Sequence, residues 1–123
     1  MIKNIKSILD IINKYELFLF DQWGVVHDGE NIFPDAENIF KILQEKQKKV
    51  FIISNSGKKS PENIHRMKKL GANHILNFPI ITSGDVCYDL LINNKEPFQN
   101  IGNKYFVIAT DYPLLKNTHF KKT

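Results

Sequence analysis

The sequence predicts an α/β fold with a mainly parallel sheet. Apolar runs alternate with stretches whose apolar residues recur at helical spacing. Turn formers and helix stop signals fall between the two kinds of segment. Strands that alternate with helices can pair in parallel only through crossovers, which put helices over the sheet. The 123 residues have room for one domain with a real core.

The elements follow in chain order. The opening stretch MIKNIKSILDIINKYE carries Ile5, Ile8, Leu9 and Ile12 on one stripe, which predicts an amphipathic helix. Charged and amide residues interrupt it, so it is not a signal peptide. Leu17 to Phe20 is a short apolar run and reads as the first strand. Ala36, Ile39, Phe40 and Leu43 give the first interior helix. Val50 to Ile53 is β-branched and apolar, the mark of a buried second strand. Ser60-Pro61 suits a helix start, with Ser as N-cap and Pro at the first helical position. Ile64, Met67 and Leu70 form that helix's apolar face, and Gly71 its stop. Ile80-Ile81 is a short strand. Ser83 is the expected N-cap of a helix through Val86, Leu90 and Leu91. Tyr105 to Ala109 reads as a further strand. The last stretch, LLKNTHFKKT, is basic and without periodicity, and is expected to fray.

Composition excludes several classes of function. The chain is 42% hydrophobic and 24% charged, an ordinary soluble balance, and no apolar run approaches a membrane span. The net charge of +4 is spread over lysines, with no basic stripe interleaved with aromatics, so nucleic acid is not an expected partner. Lys46, Lys48 and Lys49 sit near a helix end, where cations suit the macrodipole, and Lys58 and Lys59 sit in a loop. Cys87 is the only cysteine, which rules out an internal disulfide and a thiolate zinc cage. It reads as a small buried apolar residue. The four histidines, at 27, 65, 74 and 119, show no ligand spacing and read as surface residues. Nothing directs export, and the expected compartment is the cytoplasm.

Ligands of parallel sheets sit at the carboxyl ends of the strands. Asp21 follows the first strand and Ser54 the second, so parallel neighbours would bring the two together. A carboxylate there can attack phosphorus or hold a cation, and the plainer alternative is a turn cap. Ser54-Asn55-Ser56-Gly57-Lys58 offers hydroxyls, an amide, backbone N–H groups and a cation, all suited to an oxyanion. It is not a P-loop: Ile52 stands where the first glycine belongs and Lys59 where Ser or Thr is needed. The plainer alternative is an ordinary strand-to-helix turn.

The two motifs together resemble the haloacid dehalogenase-like hydrolase superfamily. "FLFDQWGVVHDG" is similar to its first motif, an apolar strand ending in D-x-D-G, and "VFIISNSG" to its second, an apolar strand ending in Ser or Thr. "GENIFPDAENIFKILQEKQKKVFIISNS" and "LGANHILNFPIITSGDVCYDLL" resemble the class IIA phosphatase branch, including a sub-branch whose first motif reads D-x-W-G. The likeness runs from about Leu17 to Leu91. It implies a Rossmann-like three-layer core. Residues 1–92 would be its N-terminal part, and 93–123 the start of a cap-domain entry with a frayed basic tail. On this reading the C-terminal half and most of the cap domain would be absent.

The resemblance also implies roles. Asp21 would be the nucleophile that forms an aspartyl-phosphate. Its carboxylate and the Trp23 carbonyl would bind Mg2+, and Ser54 with Asn55 would bind the phosphate. The substrate would be a small phosphorylated molecule. Trp23 stands where the family's usual second aspartate acts as general acid. Loss of such a group typically costs ~10²–10⁴-fold in rate. The plainer role for Trp23 is packing. The family's lysine and acidic cluster have no counterpart, and neither Lys104, Lys116 nor Asp111 has the matching context. The chain is therefore expected to be a phosphatase-type domain, inactive alone, from a truncated or split gene. Two alternatives are a module that binds a phosphate ligand without turnover, and half of a complementing pair or homo-oligomer. Missing strands would leave apolar sheet faces and an edge uncovered.

Overall fold

The computed structural model describes residues 4–109 and 113–123. Asp111, which follows the expected last strand, lies outside them.

Three strands, β1 (Leu17–Asp21), β2 (Lys49–Ser54) and β3 (Ile80–Thr82), form one parallel sheet in the order β1-β2-β3. Helix α1 (Ala36–Glu45) links the first pair and α2 (Ser60–Lys69) the second. Both crossovers run in the same direction, so both helices cover one face, as right-handed connections require. Phe18, Val50, Ile52 and Ile80 alternate onto that face and meet Phe40 and Leu43 of α1 and Met67 of α2. Phe40, Leu43, Ile52 and Met67 are fully buried, each stabilising the fold by about 1.5–3 kcal/mol.

The opposite face is largely bare. Register places Leu17, Leu19 and Asp21 on it beside Phe51 and Ile53 of β2 and Ile81 of β3. Leu19 is 59% exposed, Ile53 43% and Ile81 42%. Among the described residues β1 pairs only with β2, so its other edge is open. Of a helix layer on this side the described residues supply only α3 (Ser83–Ile92), lying along β3.

Several local expectations are corrected. The N-terminal amphipathic helix is a single 3₁₀ turn, Ile8–Asp10. Ser7 and Asp10 close a capping box at its start, and Ile11 already leaves the helical conformation. Lys48 lies just past the end of α1, as expected, and its ammonium also pairs with Glu16 at 2.8 Å. The N-cap of α2 is Lys59, not Ser60, and that of α3 is Thr82, not Ser83. The expected 105–109 strand shrinks to β4 (Lys104–Tyr105), and Phe106 and Ile108 are exposed. The basic tail does not fray: Leu114, Leu115 and Phe120 are buried against Tyr88, Leu91 and Ile92 of α3 and Tyr105. There β5 (Lys121–Lys122) pairs in parallel with β4. Leu114-Leu115 and Phe120 show no periodicity because they dock from a loop.

Candidate active site

The sheet register decides where the motif residues meet. Asp21 lies opposite Ile53, and Ser54 follows Ile53 directly. Asp21 and Ser54 thus end adjacent parallel strands one step apart, as expected for ligand groups at a carboxyl edge. Both line a cleft of about 810 Å³ together with Asn55, Thr82 and Ser83. Its far wall is apolar, from Ile53, Ile81, Val86, Leu90 and Phe98.

Asp21 is exposed, and its Oδ1 accepts the Gln22 backbone N–H at 2.7 Å. The side chain therefore does cap the turn after β1, which leaves Oδ2 without a protein partner among the described residues. Among the described residues the Trp23 carbonyl likewise accepts no backbone hydrogen bond; Gly24 donates to the His27 carbonyl and His27 to that of Gln22. A free carboxylate oxygen and a free carbonyl oxygen two residues apart suit a hard cation such as Mg2+. Among the described residues, no group of three or more His, Cys, Asp and Glu converges to complete such a site.

The Ser54–Lys58 turn is built from its own side chains. Ser54 Oγ accepts the Ser56 N–H at 3.2 Å, and Ser56 Oγ accepts the Lys58 N–H at 3.2 Å. Buried Asn63 of α2 donates from Nδ2 to Ser56 Oγ and to the carbonyls of Lys58 and Lys59. On the other side Gly84 of α3 donates its N–H to the Ser56 carbonyl at 3.0 Å. A Cβ at Gly84 would lie 2.3 Å from the Gly57 carbonyl oxygen, so only glycine lets α3 approach this closely. Lys58 does not join the Asp21 cleft; it lies over the outer side of α2 with His65, Arg66 and Lys69.

Trp23 is neither in the core nor free. The ring lies over Gly29, where a Cβ would come 2.3 Å from Cη2, and meets His27 edge-on at 5.5 Å. Arg66 sits 5.4 Å from the ring centroid and donates to the Gly29 carbonyl at 3.1 Å. His27, expected at the surface, is 2% exposed. Its Nδ1 accepts the Gly29 N–H at 2.9 Å, so the neutral ring carries its proton on Nε2. Burial, then the Arg66 charge, push its pKa down against the pull of Asp28. These contacts make the D-Q-W-G loop and α2 one braced unit.

Comparison with known proteins agrees with this geometry. A family model described as haloacid dehalogenase-like hydrolase matches residues 18–118. The chain belongs to the haloacid dehalogenase-like hydrolase family. A NipSnap protein of Caenorhabditis elegans is 32% identical over 104 residues, which are 83% of this chain and 19% of that protein. A 4-nitrophenylphosphatase of Schizosaccharomyces pombe is 33% identical over 57 residues, 46% of this chain and 19% of the enzyme. The chain thus spans about a fifth of the length of these curated relatives. A haloacid dehalogenase-like hydrolase of Brucella suis 1330 shares the fold with a TM-score of 0.80 at 22% identity, over 97% of this chain and 44% of that one. A Pyrococcus horikoshii OT3 protein of no stated function gives 0.54 at 23% identity, over 77% and 34%. This chain covers less than half of the length of either solved chain.

Sequence reasoning missed Gln22, Asn63, Arg66 and Asp85. The Thr82-x-x-Asp85 spacing is a capping-box signal and would have found the last. Nothing local marks the other three: Arg66 reaches Gly29 far back in the chain, Asn63 turns back onto the Ser56–Lys59 turn, and Gln22 Oε1 has no partner among the described residues.

Proposed function

We propose that the chain is a phosphoryl-handling domain of the haloacid dehalogenase-like type, with Asp21 as nucleophile toward a small phosphorylated molecule. The observation that supports it most is the meeting of Asp21, Ser54 and Asn55 on one cleft at the carboxyl edge of the sheet. Asp21 Oδ2 would attack phosphorus as the ester oxygen leaves, forming an aspartyl-phosphate that water then cleaves. Ser54 Oγ and the Asn55 amide would hydrogen-bond the phosphoryl oxygens as charge builds on them. Asp21 and the Trp23 carbonyl would hold Mg2+, which when bound offsets phosphoryl charge.

Trp23 has no proton to give the leaving group, and among the described residues no lysine lines the Asp21 cleft. The chain alone is therefore assigned phosphate binding without efficient turnover. Titrating orthophosphate into the chain by calorimetry tests this. Binding should require Mg2+ and fall at least tenfold in Asp21→Asn and in Ser54→Ala. Unchanged affinity in both variants would overturn the assignment.

The bare sheet face favours a second reading, that of a module completed by another polypeptide. Leu19, Ile53 and Ile81 form a three-strand apolar patch beside an open strand edge, which soluble domains ordinarily cover. Turnover of 4-nitrophenyl phosphate that arises only when the remaining strands of such a core are added as a separate chain would support it. Full turnover by the chain alone would sink it.

A further inference from the structure

A second cleft lies on the other side of the phosphate turn. It measures about 210 Å³ and is lined by Gln22, Trp23, His27, Asn63 and Arg66, and it shares Ser54, Asn55 and Ser56 with that turn. Gln22 is 2% exposed, yet its Oε1 has no hydrogen-bond partner among the described residues. A buried amide oxygen left alone costs about 1–3 kcal/mol, so this position calls for a donor from outside the chain. Arg66 spends one N–H on Gly29, and a guanidinium carries five, so most of its fork remains for an anion. The Trp23 ring, 58% exposed, supplies an apolar side.

We propose that this cleft is a subsite for the alcohol portion of the phosphorylated ligand. The ligand would be a phosphorylated hydroxy- or amino-acid. Its carboxylate would pair with Arg66, its hydroxyl or amine would donate to Gln22 Oε1, and its short carbon chain would lie against Trp23. Its phosphoryl group would sit on Ser54 and Asn55, which border both clefts. The inference rests on the phosphoryl-site reading given above. The space suits a three- or four-carbon acid rather than a nucleotide. It also gives Arg66, otherwise a surface residue of α2, a reason to be held against the D-Q-W-G loop.

The test is a calorimetric comparison, on the whole chain with Mg2+, of O-phospho-L-serine, phosphoethanolamine and orthophosphate. The first two differ only in the carboxylate. Phosphoserine should bind about tenfold tighter than phosphoethanolamine, and Arg66→Gln should bring that ratio close to one. Gln22→Met should weaken phosphoethanolamine relative to orthophosphate, because it removes the acceptor for the amine. Circular dichroism melts identify any variant that fails to fold; the wild-type ratio of the first two probes decides the matter even then. Equal affinities for those two, with orthophosphate bound, would overturn the subsite and leave the phosphoryl site standing. No binding of any of the three would overturn both.

Discussion

The carboxylate of Asp85, in the first turn of α3, caps the helix that begins at Ser60. It accepts the Ser60 N–H at 3.0 Å and the Ser60 Oγ–H at 3.1 Å, across 25 positions of sequence. The same carboxylate accepts the N–H and Oγ–H of Thr82 at 3.1 and 2.9 Å. One side chain thus closes the N-termini of two helices and ties both to the end of β3. Asp85→Ala should cost about 2 kcal/mol or more, above the ~1 kcal/mol of a single lost cap. Denaturant melts check this.

Acid should expose the same carboxylate. Burial raises the Asp85 pKa, but hydrogen bonds from Ser60 and Thr82 outweigh it and hold the group below its ordinary 3.8. A depressed carboxylate contributes stability that is complete above the unfolded pKa and lost as pH falls through the folded one. The Asp85→Asn protein should therefore lose less stability than wild type on acidification below about pH 4. Parallel acid limbs for the two proteins would count against the capping role.

His27 acts at a milder pH. Its pKa is lowered from 6.5 by burial and by Arg66, so the native state favours the neutral ring. Between its folded and unfolded pKa the unfolded chain binds the extra proton, and stability falls as pH drops through 6.5. His27→Gln should flatten the stability profile on the acid side of that value. Melts between pH 5.5 and 7.5 measure it.

Gly84→Ala should displace the phosphate turn. The new Cβ would meet the Gly57 carbonyl, which is backbone and cannot swing aside. Overpacking of this kind costs about 1–3 kcal/mol. Orthophosphate affinity should fall together with the melting temperature. A variant with lower stability and unchanged affinity would separate the turn from α3.

Trp23 is the only tryptophan, so its fluorescence reports on one loop. Gly29 has φ +103°, and an added Cβ there would strike the indole. Gly29→Ala should shift the emission maximum, and Arg66→Ala should change its intensity by removing the cation over the ring. Identical spectra in all three proteins would contradict the packing of Trp23 on this loop.

Much of this architecture was legible from periodicity. The β-branched runs at 50–53 and 80–81 and the helical spacing of Ala36, Ile39, Phe40 and Leu43 mark elements whose hydrophobic period and fold agree. The pairing of Asp21 with Ser54 followed from strand adjacency alone. What stayed hidden depends on distant partners. Ser60 looks like its own cap because the carboxylate that serves it lies 25 residues away. The tail looks frayed because Leu114, Leu115 and Phe120 find their partners on α3 rather than on each other's helical face. His27 looks like a surface histidine because its burial comes from a loop folding back on itself.

The strand order has a consequence for how the chain is made. Every pairing in the main sheet joins strands that are consecutive in sequence, β1 to β2 and β2 to β3. No strand waits inside the sheet for a partner synthesised much later, so each crossover unit can close soon after it leaves the ribosome. Of the three strands of this sheet β1 emerges first, so its open edge is available for longer than the outer edge of β3. Factors that shield growing polypeptides would meet it before they meet the outer edge of β3.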